Sequence, residues 1–73
     1  MKKQIHIGEE IRKELHKQDR SIAWLANLIG IDRSNLNKLL YKDHIKFKLL
    51  SDISIALKKD FFKLYSDKLS DIL

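Results

Sequence analysis

The sequence has no cysteine, no proline and only two glycines in 73 residues. Without cysteine there is neither a disulfide staple nor a thiolate zinc site, so helix packing or association has to supply the stability. No apolar run approaches the ~18 residues of a spanning helix, which excludes a transmembrane segment of that kind. The length excludes a barrel enzyme, a dinucleotide-binding βαβ domain and a two-domain hydrolase, and one small domain over residues 1–73 is expected. A fold of this size buries only about 60% of the surface of its extended chain, so its core is thin. Met1-Lys2-Lys3 has the basic start of a signal peptide, but charges at Glu9, Glu10, Arg12, Lys13 and Glu14 leave no room for the apolar segment. The expectation is a soluble, cytoplasmic protein.

Positive charge is in surplus, with 15 Lys and Arg against 10 Asp and Glu, a net of +5. Residues 1–20 carry six basic and four acidic groups, residues 21–50 five and two, and residues 51–73 four of each. The densest part surrounds residues 33–48, where Arg33, Lys38, Lys42, Lys46 and Lys48 fall. A basic region favours a polyanion, usually nucleic acid, although mild basicity also serves solubility alone.

Every periodic segment has helical spacing. Ile7, Ile11 and Leu15 stand four apart and predict a helix over 7–17, with Glu9, Arg12, Lys13 and His16 on its wetter sides and a Glu9–Lys13 pair. Ser21 is a capping residue for a second helix with Ile22, Leu25, Ala26 and Ile29 as its buried stripe, and Gly30 follows where a chain leaving a helix needs positive φ. Asp32 caps a third helix over 33–41, in which Leu36, Leu39 and Leu40 face one way and Ser34, Asn37, Lys38 and Tyr41 the other. Phe47, Leu50, Ile53, Ala56 and Leu57 mark the inner face of a fourth helix over 46–58, with Leu49 and Ile55 at its margins. Asp60 caps a fifth, with Phe61 and Leu64 towards the core.

Two short helices joined by a tight glycine turn over residues 21–41 make a helix-turn-helix. Ala26 falls at the helix crossing, Gly30 opens the turn, Ile31 plugs the space beneath it, and Leu36 and Leu39 fasten the second helix. Its polar face is thereby turned outward, able to enter a groove about 12 Å wide. On these residues the chain resembles the Cro/C1-type (XRE-like) helix-turn-helix proteins of bacteria and phages, over roughly residues 6–65. Ile7-Gly8-Glu9-Glu10-Ile11-Arg12 is like the family's usual start, Ser34-Asn35-Leu36-Asn37-Lys38 is similar to a Cro-type recognition helix, and Ile53 to Leu57 followed by Asp60-Phe61 matches its fourth-to-fifth helix junction. The resemblance implies an all-α, compact five-helix domain like lambda-repressor-like domains, binding to double-stranded DNA as a homodimer, a role in transcription regulation, and neither catalysis nor cofactor. The chain departs from the family's pattern at Ile22, where a phosphate-contacting Gln is frequent, and at Lys58, where a glycine is common.

Arg33, Ser34, Asn37 and Lys38 are the base-reading candidates. Arg33 or Lys38 suits guanine O6/N7, Asn37 suits adenine N6/N7, and the Ser34 hydroxyl serves either; the alternative is an ordinary solvated helix face. Ser21 with the neighbouring N–H groups is a candidate phosphate clamp. Asn35 reads as a phosphate or a dimer contact. Tyr41, Lys42 and His44 follow the third helix, where the family's backbone contacts often fall. Trp24 stands off the helix 2 stripe and covers the seam with helix 1, flanks DNA or meets a protein. The histidines at 6, 16 and 44 lack metal-ligand spacing, and no nucleophile–base–orienter set is readable. Phe62, Tyr65, Leu69 and Ile72 form a second apolar stripe beside Phe61 and Leu64, marking 61–73 as a candidate dimerisation helix.

These features lead to a DNA-binding transcriptional regulator, such as a phage-type repressor or an antitoxin with a toxin as partner. The competing reading is a helical protein-interaction module that keeps the fold without reading DNA sequence. Structured RNA is a poorer fit, because its deep, narrow major groove excludes a helix.

Overall fold

Ile7, Ile11 and Leu15 are all buried, along one side of a helix over Ile7–Lys17 (α1). In the computed structural model, which describes residues 5–73, four further helices follow: α2 (Ile22–Ile29), α3 (Arg33–Leu39), α4 (Phe47–Leu57) and α5 (Phe62–Ile72). The described residues include no strand, and the fold is all-α.

Each early boundary has a local cause. His6 caps α1 through Nδ1, which accepts the Glu9 N–H at 3.2 Å. Ser21 Oγ accepts the Trp24 N–H at 3.0 Å and starts α2. Gly30 ends α2 in the left-handed region (φ 79°), and both its N–H and that of Ile31 return to the Ala26 carbonyl. Asp32 then starts α3 by accepting the Asn35 N–H. α3 stops two residues short of the expected 41, because Tyr41 and Lys42 bond to carbonyls three residues back, which tightens the chain out of the α-helix. Asp60 acts one position earlier than a cap, its carboxylate accepting the Phe62 N–H at 3.0 Å.

The core draws on every helix but α5: Ile7, Ile11 and Leu15 from α1, Leu25 and Ala26 from α2, Leu36 and Leu40 at α3, and Leu50, Ile53 and Leu57 from α4. Phe61, between α4 and α5, closes it and is fully buried. α2 packs on both α3 and α4. α1 meets the end of α3 closely: a Cβ on Gly8 would overlap the Leu40 carbonyl oxygen and lie 2.6 Å from its carbonyl carbon. Ile22, Ile29 and Leu39, expected on buried stripes, are only partly covered.

Two expectations are corrected. Phe47 does not face the core; it is 75% exposed, and its ring lies against Phe62 at 5.0 Å on the outer side of the domain. Periodicity gives a residue's face but not whether a partner covers that face at the helix's first turn. Lys13 pairs with Glu10 at 3.4 Å rather than with Glu9, the three-residue spacing being as accessible as four.

The ends of α1 and α4 are tied together. The Gln18 amide donates to Glu14 at 2.7 Å and to the Leu57 carbonyl at 2.8 Å, while Lys59 stands 3.5 Å from the other Glu14 oxygen. Gln18's hydrogen bond, then the Lys59 charge, hold the Glu14 carboxyl below its ordinary value of 4.5 despite partial desolvation. A lowered folded value means the carboxylate's contribution is complete above about 4.5 and is lost as pH falls through the folded value. Melting curves from neutral pH into acid should show wild type losing stability over that range more steeply than Glu14→Gln; parallel losses would contradict this role.

Lys58 occupies the left-handed region (φ 54°), where a glycine would be unstrained. Relief of that strain, less the added freedom of glycine in the unfolded chain, predicts that Lys58→Gly raises stability by about 0.5–1 kcal/mol in urea denaturation. A lower midpoint would show that the lysine side chain outweighs its backbone strain.

Candidate nucleic-acid interface

The α2–turn–α3 unit carries all four base-reading candidates on α3. The buried side of α3 is fixed by Leu36 and Leu40, both without measurable exposure, and this orients the remaining residues. Arg33, Ser34, Asn35 and Lys38 are exposed, and Asn37 is half-buried. Arg33, Ser34 and Asn37 come together with Ile22 around a hollow of about 190 Å³ between the starts of α2 and α3. Three of the four base-reading candidates thus share one concavity, with Ile22 as its apolar wall.

The phosphate candidates lie on either side of α3 in the chain. Ser21 spends an oxygen lone pair on the α2 cap and keeps its hydroxyl proton for donation. Tyr41 is 71% exposed, with the Arg12 guanidinium 4.7 Å from its ring centre. Lys42 and His44 are exposed on the turn after α3. His44 Nδ1 lies 3.2 Å from the Asp43 carboxylate, and this contact holds the Asp43 carboxyl below its usual range. Asp43 is the one acidic side chain within residues 41–46, and its charge opposes a polyanion there. Burial, then the Asp43 charge, push the Tyr65 hydroxyl of α5 upward.

Arg12 is absent from the sequence-based site. From α1 it donates to the Asn37 side-chain oxygen at 2.9 Å and to the Asn37 backbone oxygen at 3.1 Å. It is half-buried rather than on a wet face. His6 adds a second tie, its Nε2 lying 3.1 Å from the Tyr41 carbonyl. With Nδ1 accepting from Glu9, Nε2 is the protonated nitrogen and donates.

Trp24 packs against the core from outside, with Arg20 stacked 4.6 Å over its ring. Along α5, Phe62 is half-buried against Phe47, while Tyr65, Leu69 and Ile72 are 39%, 55% and 62% exposed. A second apolar groove runs between α2 and α4, where Leu28 and Ile55 are exposed beside Asp52 and Lys58. Among the described residues, no His, Cys, Asp and Glu cluster suited to a metal occurs, and no helix is long and apolar enough to cross a membrane.

Comparison of the chain with protein-family models, curated proteins and solved structures gives no match.

Proposed function

We propose that this chain is a sequence-specific double-stranded DNA-binding regulator of transcription with a Cro/C1-type helix-turn-helix, whose α3 enters the major groove. The observation carrying this reading is the division of α3: Leu36 and Leu40 are buried while Arg33, Ser34 and Lys38 are exposed in a row beside Asn37. Guanidinium, hydroxyl, amide and ammonium groups at these positions match the donors and acceptors of base edges. Ser21 before α3, Asn35 on it, and Tyr41, Lys42 and His44 after it suit the phosphates flanking such a site. Pairing of two copies through Tyr65, Leu69 and Ile72, with Phe62 at the edge, would set two α3 helices about 34 Å apart, one turn of DNA.

The test is selection on a random duplex library near physiological salt, with sequencing of the bound fraction. Wild type should enrich a two-fold symmetric motif. Changing Ser34, Asn37 and Lys38 together to Ala should abolish the enrichment while leaving the helical content intact, each base contact being worth about 1–3 kcal/mol of discrimination. Salt-sensitive binding without any enriched motif would mean backbone attraction alone. The protein-interaction reading would then take precedence, favoured by the exposed apolar residues of α5 and of the α2–α4 groove.

A further inference from the structure

We infer that Arg12 fixes the Asn37 amide so that it meets DNA as a hydrogen-bond donor only, and that the base beneath it is guanine. This rests on the DNA-binding reading above and narrows it to a particular base edge. Arginine has five N–H donors and no acceptor, so the group facing it from Asn37 has to be the oxygen. The 2.9 Å bond to Oδ1 therefore assigns the amide's orientation by chemistry, with the oxygen towards α1 and the Nδ2 hydrogens left to other partners.

The arginine itself is held at several points. The same guanidinium nitrogen bonds to the Asn37 backbone oxygen at 3.1 Å, and the guanidinium lies 4.7 Å from the Tyr41 ring centre. Arg12 is thus placed by the backbone and by the end of the helix whose side chain it constrains.

The usual pairing of asparagine with adenine needs both ends of the amide, the oxygen accepting from N6–H and the nitrogen donating to N7. An oxygen already accepting from the half-buried Arg12 guanidinium at 2.9 Å is less available for the first of these bonds. Two outward N–H donors instead match the adjacent acceptors of guanine, O6 and N7. Cytosine, which offers only a donor at its N4, is the worst partner. Arg12 acts here through Asn37 and is a positioning residue.

The experiment is duplex selection with four proteins: wild type, Asn37→Ala, Asn37→Asp and Arg12→Ala, each checked by thermal melting. Asn37→Ala identifies the motif column that Asn37 reads, and wild type should prefer guanine there. Arg12→Ala frees the amide to turn, and the preference for guanine over adenine in that column should fall roughly tenfold, the scale of one base contact. Columns read by other residues should keep their preferences, which a general loss of structure would not allow. Asn37→Asp keeps Arg12 engaged on one oxygen and presents the other as an acceptor, so the column should change to cytosine.

An Asn37-dependent column that prefers adenine in wild type overturns the inference. So does a folded Arg12→Ala variant with the guanine preference unchanged, and so does Asn37→Ala altering no column. If Arg12→Ala fails to fold, Asn37→Asp decides alone: cytosine supports the inference and retained guanine overturns it. An enriched motif separates all of these from failure of the DNA-binding reading, in which wild type enriches nothing and both fall.

Discussion

Gly8→Ala is expected to lower the melting temperature by roughly 10–20 °C, a large effect for one added carbon. The new Cβ would meet the carbonyl group of Leu40, which is backbone and has no rotamer to escape into. α1 would have to withdraw from the end of α3, opening the core around Ile7, Ile11 and Leu40, all of which are fully buried. Overpacking of well-filled sites costs about 1–3 kcal/mol, and a clash with main-chain atoms belongs at the upper end. In a domain of this size 1 kcal/mol corresponds to about 4–8 °C. Calorimetry or circular dichroism gives the answer directly. A variant melting within a few degrees of wild type would mean that α1 does not approach α3 as described.

Phe61→Ala should remove about 3–5 kcal/mol, the usual loss for a buried phenylalanine. A chain of this length is stable by only about 4–11 kcal/mol, so the loss takes from roughly a quarter to the whole of its folding margin. Phe62→Ala makes the informative contrast. Its ring is half-buried and meets the largely exposed Phe47, so its loss should cost about 0.5–1.5 kcal/mol. Urea titrations of the two variants side by side measure the difference. Equal losses would place the core boundary elsewhere than between these two neighbours.

The contrast between the two phenylalanines was legible in the sequence, because Phe61 keeps register with Leu64 while Phe62 shares a stripe with Tyr65 and Leu69. The limits of α2 were legible for a similar reason: its apolar stripe is bracketed by Ser21 and Gly30, whose chemistry marks helix ends. The buried and outward sides of α3 followed from the same spacing.

What could not be read this way depends on tertiary proximity. Arg12 and Asn37 are 25 residues apart, and nothing in either local pattern signals that one is bonded to the other. His6 is an unusual capping residue, so its imidazole gave no helix-start signal. Gly8 did carry one: a glycine inside a helical pattern costs about 1 kcal/mol against alanine and calls for a packing reason, which the Leu40 carbonyl supplies. Phe47 failed in the opposite sense, keeping perfect apolar register at a place where its one aromatic neighbour, Phe62, leaves it largely exposed.

The Gln18 bridge between α1 and α4 has an electrical consequence. It draws two helix C-termini side by side, each bearing the equivalent of about half a negative charge from its aligned peptide dipoles. Like poles repel, and Lys17 and Lys59 stand at this junction beside Glu14, to which Lys59 is also paired. These two lysines serve as internal counter-charge for the dipoles of the fold. Neutralising them would be felt as lost stability, whereas neutralising Lys42 and Lys46, on the exposed connector after α3, would leave the fold untouched and change only the field it presents to the outside.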